Sequence, residues 1–192
     1  MARKQNKTTP LVVAVLTLAG KYGWTAVTPA KLAKAAKVTG KQAAAFMAEP
    51  AHSMRAIADF VTETAQRDCR HDPRNSPREA LFEILMLRFD VLQNHRAGFL
   101  AIHDAARRDP RLAAAITQAL YPQCEAVIRL ARIKTETLPA FLIRAGLAIV
   151  YGITLCTWRR DDSSDLAKTM ATLDRQLRRV ENLMRFLNHR TD

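Results

Sequence analysis

The stretch from Trp24 to Met47, W-T-A-V-T-P-A-K-L-A-K-A-A-K-V-T-G-K-Q-A-A-A-F-M, restricts the fold more than any other part of the chain. It reads as two short helices joined by a tight turn. Thr28 can accept from the free backbone N–H groups of a helix start, and Pro29 then stands where its missing N–H costs nothing. Leu32, Ala33 and Ala36 make a small apolar face, and Lys37-Val38 form the turn. Thr39 can cap a second helix that opens at Gly40 and runs through Lys41, Gln42 and three alanines to Phe46. Small residues let the two helices cross closely, while Lys31, Lys34, Lys37 and Lys41 remain for the outer surface. This is the layout of a helix-turn-helix, whose second helix enters the DNA major groove.

Charge gathers on the same stretch. The chain has 192 residues and a formal net charge of +12. Residues 1–50 hold eight Lys/Arg against one acid, Glu49, a net of +7, whereas the rest holds 22 basic and 17 acidic groups, a net of +5. Such a balance favours a polyanion, either nucleic acid or an anionic membrane surface. A solvated lysine face is the plain alternative; the coincidence of charge with motif speaks for DNA. Residues 1–8 read as a basic arm of the kind that reaches phosphates or the minor groove, or as an ordinary polar terminus.

The remainder reads as helices, and the fold class is all-α. Strand-like alternation is nearly lacking, and a hydrophobic content of 48% with 25% charged residues is that of a globular protein. Thr9 caps a first helix with Pro10 at its first position; Val12, Val15, Leu16, Ala19 and Tyr22 share a face, and Gly23 stops it. A further helix runs from Pro50–Ser53 to about Arg70 and would link head to body. The polar segment from Arg70 to Asn75 is the clearest loop, followed by the capping box Ser76-Pro77-Arg78-Glu79. The helix after it has a wide apolar face of Leu81, Phe82, Ile84, Leu85, Phe89 and Leu92. Helices over His95–Arg107 and from Pro110 to Leu120 follow. Pro122 breaks or kinks the chain before another with Cys124, Val127 and Ile128, and Lys134–Leu138 is a loop.

The last two helices carry the strongest hydrophobic patterns. The stretch from Pro139 to Trp158 is apolar nearly all round and so requires cover on most sides; Arg144 and two glycines make it a buried helix rather than a transmembrane one. The final helix, capped by Ser164, repeats Leu166, Met170, Leu173, Leu177, Val180, Met184 and Leu187 at alternating spacings of four and three. That regularity suits a four-helix interface between two copies of the chain; closure of the monomer's own core is the simpler use. The domains expected are a head over residues 1–50 and a ligand-binding and dimerisation body over residues 51–192.

No enzyme signature is visible: there is no G-x-S-x-G, H-E-x-x-H or phosphate loop, and no cofactor is expected. His95 and His103 share a helix face without a third ligand, so they read as surface histidines rather than a metal site. Cys69, Cys124 and Cys156 make no C-x-x-C and read as reduced thiols of a cytoplasmic protein, Cys124 and Cys156 packed as small hydrophobes. The N-terminus M-A-R-K-Q-N-K shows no signal peptide. Asp161-Asp162 reads as loop acids before a capped helix more readily than as a cation site. Arg88, Asp90 and Arg144 lie within apolar stretches, where structural pairing is the simplest reading.

Residues 24–39, following a Gly-Trp helix end, resemble the TetR family of bacterial regulators, which carries a G-x-x-x-x-T-x-x-x-I-A-x-x-A-G-V-S pattern here. On that match Thr28 caps the first motif helix, Leu32-Ala33 is the Ile-Ala pair, Val38 is the turn hydrophobe and Thr39 caps the recognition helix. The resemblance implies a homodimeric regulator with a three-helix DNA head and a helical ligand-binding body. Lys37 replaces the family's turn glycine, Ala44 and Met47 replace its aromatic pair, and the lysine that opens its next helix is missing, with His52 nearby. The body, above all A-I-V-Y-G-I-T-L-C-T-W-R-R-D-D-S-S-D-L-A-K-T-M-A-T-L-D, resembles a narrower group: the TetR-fold lipid-binding accessory protein of ubiquinone biosynthesis and its bacterial relatives. Members of that group bind isoprenoid or phospholipid rather than DNA.

These readings set the expected sites. Lys41 and Gln42, in the first turn of the recognition helix, suit base edges. Thr28, Lys31 and Thr39 suit phosphates, Gly40 lets the backbone come close, and Phe46 completes the DNA-binding set. A pocket for a small apolar or lipid-like ligand is expected among Phe82, Phe89, Leu120, Tyr151 and Trp158, residues that a plain core would also use. The partners expected are a double-stranded DNA operator, that ligand, and a second copy of the chain; the alternative is a lipid- or isoprenoid-binding accessory protein that has lost DNA binding.

Overall fold

Gly98 shows how the head is braced. A Cβ at this position would overlap the Leu16 carbonyl oxygen and lie 2.9 Å from the Leu16 Cα, and a Cβ at Gly20 would lie 2.9 Å from that of Ala97. Two helices therefore cross there at backbone contact. They are α1 (Thr9–Tyr22) and α6 (Arg96–Ala106) in a computed structural model that describes residues 8–70, 72, 74–133 and 139–188, with side chains as far as Met184. The basic arm, the 134–138 loop and the Leu187 side chain lie outside the described residues. The other helices are α2 (Pro29–Ala36), α3 (Gly40–Met47), α4 (Pro50–Asp68), α5 (Pro77–Asn94), α7 (Pro110–Leu130), α8 (Ala140–Trp158) and α9 (Ala167–Asn188). No strand occurs among the described residues, so the class is all-α.

The chain divides into two compact units, and the division does not fall at residue 50. One unit joins the described residues up to Thr64 to Asp90–Leu120; the other joins Ala65–Phe89 to the described residues from Tyr121 onward. The first unit's core holds Val12, Val15 and Leu16 of α1, Leu32 of α2, Phe46 of α3 and Ile102 of α6. The first unit reaches past residue 50 because Met54 and Ile57 of α4 and Ile102 of α6, remote in sequence, join its core. The second unit's core is built on Ile84, Leu85, Val127, Leu147, Val150, Leu173 and Leu177.

Several local expectations need correction. Thr8, not Thr9, precedes α1, while Gly23 closes it at φ 84° with its N–H on the Ala19 carbonyl at 2.8 Å. Tyr22 is not on the buried face of α1; it is half exposed, and the Lys21 and Lys31 ammonium groups lie 5.2 and 5.5 Å from its ring centre. Pro122 does not divide the chain: α7 is continuous through it. A proline in a helix interior removes one backbone hydrogen bond; Ala115 and Ala119 before it and Val127 and Ile128 after it are buried. Cys156 is exposed rather than packed. The Ser76–Glu79 capping box forms as the motif predicts, with Ser76 N–H donating to Glu79 at 2.8 Å and Glu79 N–H to Ser76 at 3.3 Å.

The start of α9 is also organised differently. Ser164 does not cap it. The Ala167 N–H donates to Ser163 Oγ at 3.1 Å and Asp165 at 3.2 Å, and Thr169 donates to the buried Asp161 carboxylate from N–H at 2.8 Å and Oγ1 at 2.7 Å. Ser163 bonds the other Asp161 oxygen. Arg78 of α5 then ties α9 down through Asp174 at 2.7 Å and Glu181 at 3.5 Å.

The expected cover of α8 is not found among the described residues. Phe141, Leu142, Ile149 and Ile153 are exposed, and 22% of the helix's most apolar window is buried. By length and composition α8 alone among the described helices could cross a membrane. The 4-3 repeat of α9 is likewise split between faces. Leu166, Leu173 and Leu177 are buried within the chain's own second unit, whereas Met170 and Val180 are exposed, together with Leu183, and Met184 is half buried. A helical face about as wide as that repeat sweeps is shared here between an inner core and an outer surface.

Candidate nucleic-acid interface

Each turn of the α2–α3 motif has a local cause. Thr28 is extended, at φ −115° and ψ 155°, and its hydroxyl oxygen accepts from the Lys31 N–H at 3.4 Å. Pro29 follows at the first helical position. At the other end Lys37 adopts the left-handed conformation, φ 54° and ψ 43°, and its N–H and that of Val38 return to the Ala33 carbonyl. That is the helix-ending geometry glycine usually supplies, so a lysine here carries strain of about 1 kcal/mol. The turn forms with lysine at this position, and its cation stands on the exposed side.

Thr39 opens α3 with a complete capping box. The Gln42 N–H donates to Thr39 Oγ1 at 3.2 Å, and the Thr39 N–H donates to Gln42 Oε1 at 3.0 Å. The Thr39 hydroxyl also donates to that oxygen at 3.0 Å. Gln42 therefore spends its amide oxygen on the helix start, and bidentate contact with adenine would require breaking the box. Gly40 is exposed, and a Cβ there would meet nothing within 4 Å, so the protein's own packing does not need a glycine at this position.

Phe46 corrects the expected DNA-binding set. It is 2% exposed, packed in the first unit's core with its ring edge against His52, and a ring so placed cannot touch DNA. The period explains it: Ala43 and Phe46 are three apart and share the inward face, leaving Lys41, Gln42, Ala44 and Ala45 outward. Thr28, Lys31, Thr39, Lys41 and Gln42 are all exposed. Lys31 is partly engaged, its ammonium donating to the Ala26 carbonyl at 2.9 Å. Residues 8–48 contain five lysines and no acid, and Lys34, Lys37 and Lys41 project from α2, the turn and α3.

Two residues support this surface in ways the sequence reading did not assign. Ser53 of α4 is buried and donates to the Phe46 carbonyl at 2.7 Å, fixing the C-terminal end of α3. Tyr22 gathers the Lys21 and Lys31 cations. Beside this region an open cleft of about 500 Å³ is lined by Gly20, Trp24 and Thr25 together with Asp104, Arg108 and Leu112.

Of the residues expected to line a pocket, Phe89 and Tyr151 stack with ring centres 5.3 Å apart, Phe82 packs on the same core, and Trp158 is buried. Leu120 belongs to the other unit. Among the described residues no group of three or more His, Cys, Asp or Glu could hold a metal ion.

A family model described as COQ9 matches residues 141–184, which span most of α8 and α9 up to Met184. No curated protein matches the chain. Two solved structures share its architecture. A TetR transcriptional regulator from Nitrosomonas europaea superposes with a TM-score of 0.69 at 17% identity, over 88% of this chain and 95% of that one. A TetR transcriptional regulator from Rhodococcus sp. RHA1 does so with a TM-score of 0.62 at 14% identity, over 91% of this chain and 96% of that one. The all-α fold of this chain is thus the fold of these TetR regulators.

Proposed function

We propose that this protein is a DNA-binding transcriptional regulator: a cytoplasmic, non-enzymatic homodimer whose operator affinity responds to a small ligand held by the helical body. The acid-free lysine surface across α2, the turn and α3 carries this reading, because phosphate neutralisation supplies most of the affinity of such modules. Lys34, Lys37 and Lys41 provide the cations. Thr28 and Thr39 stand at helix N-termini, where phosphate oxygens are stabilised. The exposed apolar surfaces of α8 (Phe141, Ile149) and α9 (Met170, Val180, Leu183) support pairing with a second copy, which would set two recognition helices about 34 Å apart for successive major grooves. Fluorescence anisotropy with duplex DNA, across a salt series, tests the reading; a log–log slope near zero, or affinity unchanged by Lys41→Ala, refutes it.

A second reading has its own support. The COQ9 match covers the two helices that expose most apolar surface, and the outward face of α3 offers few polar groups beyond Lys41 and Gln42. On that reading the chain is a lipid- or isoprenoid-binding accessory protein that keeps the head as scaffold. Mass spectrometry of extracts from purified protein decides it: no co-purifying lipid, and no binding to liposomes, rules it out.

A further inference from the structure

Two arginines of the second unit, one buried and one partly exposed, stand beside tyrosine rings. Arg88 of α5 is buried, with its guanidinium 5.3 Å from the centre of the Tyr151 ring on α8. Arg144 lies seven residues before Tyr151 on the same face of α8, its guanidinium 5.0 Å from the Tyr121 ring of α7. Both fields reach one atom. Burial raises the Cys124 thiol pKa above its ordinary value, and the Arg88 and Arg144 charges each oppose that rise. The cluster grades from wet to dry: Tyr121 and Glu125 are about half exposed, the Arg144 side chain is 23% exposed, and Arg88 is buried beside the stacked Phe89–Tyr151 pair.

The outer arginine is under-used. Its nearest carboxylate, Glu125, stands at 3.7 Å from Nη1, too long for a hydrogen bond, and its buried Nε has no hydrogen-bond partner. A buried donor left without an acceptor is unfavourable, so Arg144 is poised for a better acceptor than Glu125 supplies. A planar guanidinium matches a carboxylate bidentately, and the aromatic and aliphatic side chains beyond it suit a chain or ring.

We propose that Arg144, backed by Arg88, binds the carboxylate of an acyl or aryl acid whose apolar part packs toward Phe89 and Tyr151. This deepens the reading of the body as a ligand-binding unit: the ligand is an anionic amphiphile, not a neutral apolar molecule. Glu125 competes with it for Arg144.

Titration calorimetry of the full-length protein, without DNA, tests the assignment with three probes: octanoate, octanol and inorganic phosphate. Octanoate binds at least tenfold more tightly than either of the others. Arg144→Gln weakens octanoate about tenfold or more and leaves octanol unchanged. Glu125→Gln, at a half-exposed position that tolerates change, strengthens octanoate several-fold. Octanol binding as tightly as octanoate overturns the anionic headgroup, and phosphate binding as tightly overturns the apolar half. Octanoate affinity unchanged in both variants overturns the site. Because no DNA is present, failure here leaves the regulator reading standing, and loss of duplex binding leaves this site standing.

Discussion

Replacing Asp161 with Asn exposes the energy stored at the start of α9. Asp161 is fully buried, and its two oxygens accept from Ser163 and Thr169 through both backbone N–H and hydroxyl groups. Burial alone would raise the carboxyl pKa; the four donated bonds overcome that and hold it at about 2, against an ordinary 3.8. At about 1.4 kcal/mol per pKa unit the ionised form contributes about 2.5 kcal/mol at neutral pH. Asn keeps the shape but loses the charge and points an N–H₂ at groups that are themselves donors. Asp161→Asn therefore loses about 2.5 kcal/mol at pH 7, or roughly 5–10 °C in Tm for a chain of this size. The folded pKa is depressed, so the contribution is complete above about pH 4 and fades as pH falls toward 2. By pH 3 the gap between wild type and variant is about half its neutral value. Urea unfolding followed by circular dichroism at pH 7, 5 and 3 measures it. A gap that stays constant across this range refutes the assignment of the stabilisation to the ionised carboxylate.

Further predictions follow from single contacts. Lys37→Gly relieves left-handed strain and raises stability by about 0.5–1 kcal/mol, read by thermal melting, while weakening duplex binding. Gly98→Ala drives a methyl into the backbone of α1 and costs about 3 kcal/mol in urea unfolding. Phe46→Ala removes a core ring and costs about 3–5 kcal/mol of stability. Lys41→Ala leaves the melting temperature within a degree or two and lowers duplex affinity, and the contrast between these two variants separates core from contact surface on neighbouring turns of α3.

How far the sequence could be read depended on the range of the interactions. The caps at Thr28 and Thr39 and the Ser76–Glu79 box were legible because each joins residues three apart. The role of Gln42 was legible in principle, since T-x-x-Q is itself a capping-box spacing; an amide in the first turn of a recognition helix suits adenine equally well, and the two uses compete for one oxygen. The inward place of Phe46 was legible too, from its spacing of three from Ala43. The close crossing at Gly98 left no local trace, because the atoms it avoids belong to Leu16, 82 positions earlier. Nor could periodicity tell that α8 would stay open on one side. An all-round apolar helix announces a need for cover and not what supplies it. The 4-3 repeat of α9 was real as a pattern, but packing inside the second unit claimed Leu166, Leu173 and Leu177 for the chain's own core.

The proposed role stands on phosphate contacts made by the lysine surface of the head. The most direct measurement is the salt dependence of duplex binding by wild type and Lys41→Ala, side by side. Wild type should show a log–log slope of about −0.9 for each phosphate neutralised, and the variant a slope shallower by about 1. A wild-type slope near zero, or two superimposable lines, contradicts it.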